Sequence, residues 1–197
     1  MQFKSFEENV EVNAQTVFAI VDGLRHFKSL SKKYLLSVSI GTEKNGEFQL
    51  EPNAWYSQDA WLSAFEKISN EIGDTTLYNI GLSIPKNAIF PPTVINIETA
   101  IQSIDIAYHL NHRKKGKILF DEKTGKMLEG IGHYGYYKLE NQNMIISECN
   151  TPYPCAFDRG IISAMASRFK DHVNVVHDDT KPCRKKGAES CTYKISW

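Results

Sequence analysis

Apolar residues recur at helical spacing through much of the first half of the chain. Val17, Val21 and Leu24 follow at intervals of four and three behind Asn13, which can cap a helix running through "AQTVFAIVDGLRHFKSLSKKYLL". Trp61, Phe65, Ile68 and Ile72 repeat at four, three and four between a cap at Ser57 and a stop at Gly73. A third such face, Ile97, Ile101, Ile104 and Tyr108, starts behind Asn96. Between these runs, "IGTEKNGEFQLEPNAWY" is broken by Gly41, Gly46 and Pro52 and reads as a loop or short hairpin. A short helix is predicted around 77–82, ahead of "IPKNAIFPPTV", whose three prolines exclude a regular helix.

Beyond Arg113 the period changes. "KILFDEKTGKMLEGIGHYGYYKLENQNMIISEC" has strand-like runs separated by "DEKTG" and "ENQN", which predicts a small antiparallel meander. Pro154 suits the first turn of a helix, "PCAFDRGIISAMASRF", in which Phe157, Ile161, Met165 and Phe169 recur every four residues. Two strands close the chain, and in the last Cys191, Tyr193, Ile195 and Trp197 share one face. The layout is α+β: a mainly helical part, 1–113, layered on a β-rich part, 114–197, that holds one long helix, the whole forming one domain over 1–197.

Charge narrows the function classes. Lys plus Arg and Asp plus Glu both number 23, so nothing global draws the chain to nucleic acid. "MQFKSFEENVEVN" lacks the apolar stretch of a secretory signal, and no uncharged apolar run reaches the roughly 18 residues that span a bilayer. A cytoplasmic protein with reduced thiols is the expectation.

The cysteines carry the most specific chemistry. Cys155 opens a helix, where the dipole favours thiolate, and Cys183 and Cys191 flank "RKKGAES", a return that strand pairing can close. Three thiolates and one further donor make a closed zinc shell, with His177, Asp178 and Asp179 as candidates for the fourth place. The same cysteines read equally well as small buried apolar residues.

A second constellation joins "YHLNHR" to "GIGHYGYY". His109 or His133 can hydrogen-bond a polar group while Tyr134, Tyr136 and Phe90 contact an apolar body, the usual mixture in a ligand pocket. His112 and Arg113 read as solvated residues near a helix end. Catalysis is not the expectation: Cys155 could pair with His133, His172 or His177, but no third orienting residue is placed. "GIGHYG" lacks the spacing of a dinucleotide loop.

The ending "CRKKGAESCTYKISW", with "CAFDRG" before it, resembles the vinyl-4-reductase-type domain, a small-molecule-sensing module related in fold to TRAPP trafficking subunits and to haem-based nitric-oxide sensors. The likeness covers about the last 50 residues. It implies a sensor for a small hydrophobic or aromatic molecule, acting as a homodimer through a signalling partner protein. It also implies a structural zinc on Cys155, Cys183 and Cys191. The family's fourth ligand, a glutamate three residues before the first cysteine of the pair, is Thr180 here, so Asp179 or His177 would substitute. Haem is not expected, because the haem sensors' Tyr-x-Ser-x-Arg element is missing, although His109 or His112 offers a helical imidazole. An adaptor like the TRAPP subunits is the alternative reading, with a cysteine-dependent enzyme or a haem-based gas sensor as further alternatives.

Overall fold

The computed structural model describes residues 2–24 and 28–197. Strand β1 (Val10–Asn13) runs straight into helix α1 (Ala14–Gly23) because the Asn13 side chain accepts from the Thr16 backbone N–H at 2.9 Å while its own backbone is still extended. Helix α2 (Lys28–Leu36) follows, so the run expected as one long helix is two; residues 25–27 lie outside the described residues. "IGTEKNGEFQLEPNAWY" holds the hairpin β2 (Thr42–Lys44) and β3 (Glu47–Gln49) and then strand β4 (Trp55–Ser57).

Ser57 caps α3 (Gln58–Glu71), whose Trp61, Phe65 and Ile68 are fully buried, whereas Ile72 falls just past the last turn and is exposed. Helix α4 (Asp74–Asn87) corrects the expectation that the prolines end the helix before this point: it runs through Pro85. Proline removes one N–H and crowds the carbonyl four residues back. Pro85 sits in the final turn, so only that turn is affected, and Leu77, Ile80 and Ile84 bury a face that holds the rest. Helix α5 (Ile97–Leu110) starts in a capping box between Asn96 and Thr99.

Strands β5 (His112–Lys114) and β6 (Lys117–Ile118) complete an antiparallel sheet of order β4-β1-β5-β6. After a small hairpin, β7 (Phe120–Asp121) and β8 (Lys126–Met127), the chain forms β9 (His133–Tyr134), β10 (Tyr137–Lys138) and β11 (Met144–Asn150). Helix α6 (Cys155–Ala166) leads to β12 (Asn174–His177) and β13 (Cys191–Ser196). The second sheet has the order β10-β11-β13-β12, with β9 also on β11. The expected meander is therefore divided: β6 joins the N-terminal sheet, β7 and β8 form a hairpin of their own, and β9, β10 and β11 join the C-terminal sheet. The architecture is α+β.

Helices α4 and α6 touch backbone to backbone at a pair of glycines. A Cβ on Gly81 would overlap the Phe157 carbonyl, and one on Gly160 would overlap the Tyr78 carbonyl and stand 2.9 Å from the Gly81 Cα. This seam lies beside the aromatic core, where the Phe65 ring centroid is 4.7 Å from those of both Trp61 and Phe157.

Candidate functional sites: a cysteine cluster and a buried cavity

Three cysteines meet at the junction of α6 and the second sheet. Cys155 is the first residue of α6, Cys191 opens β13, and Cys183 precedes a turn over Arg184–Lys186 that Gly187 closes at a φ of 88°. Their sulfurs stand 2.9 Å (155 to 191), 3.6 Å (155 to 183) and 3.8 Å (183 to 191) apart. With zinc–sulfur bonds of about 2.3 Å, tetrahedral geometry sets ligand sulfurs about 3.8 Å apart. Two of the three separations match that edge.

His177 ends β12, where its pairing with Tyr193 brings it two residues from Cys191 on the neighbouring strand. Its Nδ1 lies 2.8 Å from the Asp179 carboxylate, so it donates there, and the lone pair is left on Nε2. That nitrogen is buried with no hydrogen-bond partner among the described residues, and a donor atom of His177 lies within 4.8 Å of all three sulfurs. Of the acidic candidates, Asp179 stands behind His177, and Asp178 accepts from Thr180 at 2.6 Å and pairs with Lys194 at 2.7 Å. A hydrogen bond from the Cys155 thiol holds Cys191 down to about 4 against the opposing effect of burial, with Arg184 assisting. The same bond pushes Cys155 up, so Cys191 is the more acidic of the two thiols.

Arg184, fully buried, connects this cluster to the interior. Its backbone N–H donates to the Cys191 sulfur at 3.3 Å. Its guanidinium donates to the carbonyls of Thr151 and Tyr153 and pairs with the buried Asp158, whose other oxygen accepts from the Tyr134 hydroxyl at 2.6 Å. Burial pulls Arg184 down, but the Asp158 carboxylate outweighs it and holds the guanidinium above its ordinary value.

Tyr134 also lines a cavity of about 40 Å³, together with Ile84, Phe90, Ile104, His112 and Phe157. The expectation of a solvated His112 is corrected: α5 ends at Leu110, and Asn111 turns the chain inward by donating to the carbonyls of Ile89 (2.8 Å) and Ala107 (2.7 Å). His112 is therefore buried in β5, and Arg113 pairs with Glu11 at 2.6 Å. His112 donates from Nδ1 to the Tyr108 carbonyl and accepts at Nε2 from the Tyr153 hydroxyl, both at 2.7 Å. Burial pushes it down to about 3, so it is neutral. Nothing in "LNHRK" distinguished this residue from a solvated one.

Of the residues expected in a pocket, Phe90 and Tyr134 line this cavity. His109 and His133 instead stack on each other, ring centroids 5.0 Å apart, beside Asp105 on another side of α5. Tyr136 is half-buried near Glu98, which helps burial push its hydroxyl up.

No family model matches the chain, and no curated protein does. Solved structures do. An H-NOX protein from S. oneidensis in the Fe(II)NO ligation state shares 14% identity over 92% of this chain and 97% of its own, with a TM-score of 0.61. A Cs H-NOX mutant with 4-cyano-L-phenylalanine at site 5 shares 16% over 93% and 95%, at 0.62. A structure described as probing haem distortion in the H-NOX family shares 15% over 94% of each chain, at 0.61.

The chain has the H-NOX fold. This overturns the expectation that haem could be set aside, because the proteins that share this fold are described by their iron ligation and haem distortion. Part of what a haem needs is present in the chain, in the apolar aromatic walls and the buried imidazole of His112. In this conformation the space beside His112, about 40 Å³, holds one or two waters and not a macrocycle, and its Nε2 is engaged by Tyr153. No helix among the described residues is long and apolar enough to cross a membrane.

Proposed function

We propose that the chain is a sensor domain that binds a small molecule in the cavity between α4, α5 and α6. The observation that carries this reading is an apolar cavity at the centre of an H-NOX fold, walled by aromatic side chains and one neutral histidine. Such a mixture fixes an apolar ligand and orients one polar atom. Two ligand classes follow. The fold likeness favours haem with a bound diatomic gas, for which α4 and α6 must part widely; a small organic molecule needs a lesser opening of the same space, which at about 40 Å³ takes one or two waters.

One pair of titrations separates them. A stoichiometric haem absorption band that shifts with nitric oxide supports the gas sensor. Absence of that band, together with a raised unfolding midpoint in small apolar or aromatic ligands, supports the organic sensor; at a hundred times its Kd such a ligand stabilises by about 2.7 kcal/mol. If neither is seen, the sensor reading falls.

We further propose that Cys155, His177, Cys183 and Cys191 hold a structural zinc, with Asp179 orienting the imidazole as carboxylates commonly do behind metal-bound histidines. The sulfur spacing and the cysteine pattern that resembles the vinyl-4-reductase-type ending support this reading. Elemental analysis of the purified chain should give stoichiometric zinc, one equivalent of which is lost in Cys183→Ser. A native chain without stoichiometric metal would disprove it. The chain would signal as a homodimer through a partner protein, and light scattering on the same sample reads the mass.

A further inference from the structure

We propose that Asp105, His109 and His133, with Glu129 at the mouth, form a second metal site, separate from the cysteines, for a borderline divalent ion such as Zn²⁺, Co²⁺ or Ni²⁺. The first two residues sit one turn apart on α5, and His133 opens β9. Asp105 Oδ2 is 2.9 Å from His133 Nδ1, Asp105 Oδ1 is 3.6 Å from His109 Nδ1, and His133 Nε2 is 3.0 Å from Glu129 Oε2. Metal bonds of about 2.1 Å put neighbouring nitrogen and oxygen ligands roughly 3 to 3.5 Å apart, and the Asp105 Oδ2 to His133 Nδ1 separation is already close to that; Glu129 faces the opposite ring nitrogen of His133, Nε2, and so stands behind the imidazole as its outer carboxylate. One donor atom from each of Asp105, His109 and His133 lies within 4.8 Å of the other two.

Three further observations favour a cation here. His133 faces a carboxylate with each of its ring nitrogens, an arrangement that requires positive charge between them, supplied by a proton or by a metal in its place. His109 is completely buried and donates from Nδ1 to the Asp105 backbone carbonyl at 2.8 Å, so its lone pair is on Nε2, which has no hydrogen-bond partner among the described residues, although leaving a buried polar group unpaired costs about 1–3 kcal/mol. Asp105 is held in place by the Tyr134 backbone N–H at 2.9 Å, the kind of outer contact that orients a ligating carboxylate. The site is graded: its floor at His109 is sealed, Asp105 is 18% exposed, and Glu129, 81% exposed, leaves a route for the ion and for a water ligand. Imidazole and carboxylate donors without thiolate suit borderline divalent ions rather than Cu(I).

The test is a Co²⁺ titration of the full chain after chelator treatment, followed by absorption and by circular dichroism as a check on folding. Two equivalents are expected, of which only one shows thiolate-to-cobalt charge transfer. Cys183→Ser removes that signal and leaves the other equivalent. His133→Ala weakens the second equivalent tenfold or more, and the exposed Glu129→Gln, which disturbs no packing, weakens it several-fold. Should the cysteines prove to bind no metal, one equivalent without charge transfer, lost in His133→Ala, still supports this site. Uptake confined to thiolate-bound cobalt, or a second equivalent that neither variant weakens, overturns it.

Discussion

Arg184→Met is expected to lower stability by about 3–5 kcal/mol, measured as a fall in the denaturation midpoint. This is the usual cost of removing one partner from a buried ion pair. The substitution strands Asp158 with only the Tyr134 and Thr151 hydroxyls, and takes the guanidinium donor from the Thr151 and Tyr153 carbonyls. The size of the effect comes from desolvation rather than attraction: an uncompensated carboxylate in the interior costs more than the pair gains. The double variant Arg184→Met/Asp158→Leu should therefore recover a large part of the loss, since it leaves no charge behind. A single variant costing under about 1 kcal/mol, or a double variant as unstable as the single one, would contradict this account of the network.

The second large effect is expected at the α4–α6 seam. Alanine in place of glycine ordinarily favours a helix by roughly 0.5–1 kcal/mol. At Gly160 the added methyl meets the Tyr78 carbonyl and the Gly81 Cα, backbone atoms that cannot rotate away. The overpacking cost, about 1–3 kcal/mol, exceeds the propensity gain, so Gly160→Ala should be net destabilising. Gly160→Val should be worse than Gly160→Ala in a urea titration. An alanine variant as stable as the parent would mean that the helices can part easily, which in turn would ease the way for a large ligand beside Phe157.

The elements that could be read from the sequence are those whose signals are local. Helices α3 and α5 have a cap, an apolar face at spacing four and three, and a definite end within about 15 residues; β13 alternates cleanly. The strands of the first sheet could not be read this way. β1, β4 and β5 have three or four residues each, too few for alternation to register, and their pairing joins Val10 to Lys114 across most of the chain. Pro85 misled because propensity is a local preference and the buried face of α4 outweighs it.

The candidate sites divide in the same way. That the three cysteines would be neighbours followed from a helix start and a hairpin packed on one sheet. That His177 rather than Thr180 faces them depends on the register of β12 on β13, which "HDDTKPC" does not encode. Arg184 is the clearest case: inside "CRKKG" it looks like one more solvated cation, and only the tertiary fold shows it fully buried against Asp158. His109 and His133 were legible as chemically interesting, yet their meeting at Asp105 needs β9 laid against α5.

Helix α5 presents Ile104, Tyr108 and the turn into His112 to the cavity, and Asp105 and His109 to the imidazole–carboxylate cluster. Adjacent residues of one helix thus line both proposed sites. Were a cavity ligand to favour a new setting of that helix, and an ion at Asp105 to bind the two settings unequally, thermodynamic reciprocity would require each to change the other's affinity by the same factor. The helix would then work as the balance beam between two chemically unrelated inputs, and the factor measured from either side would be one number.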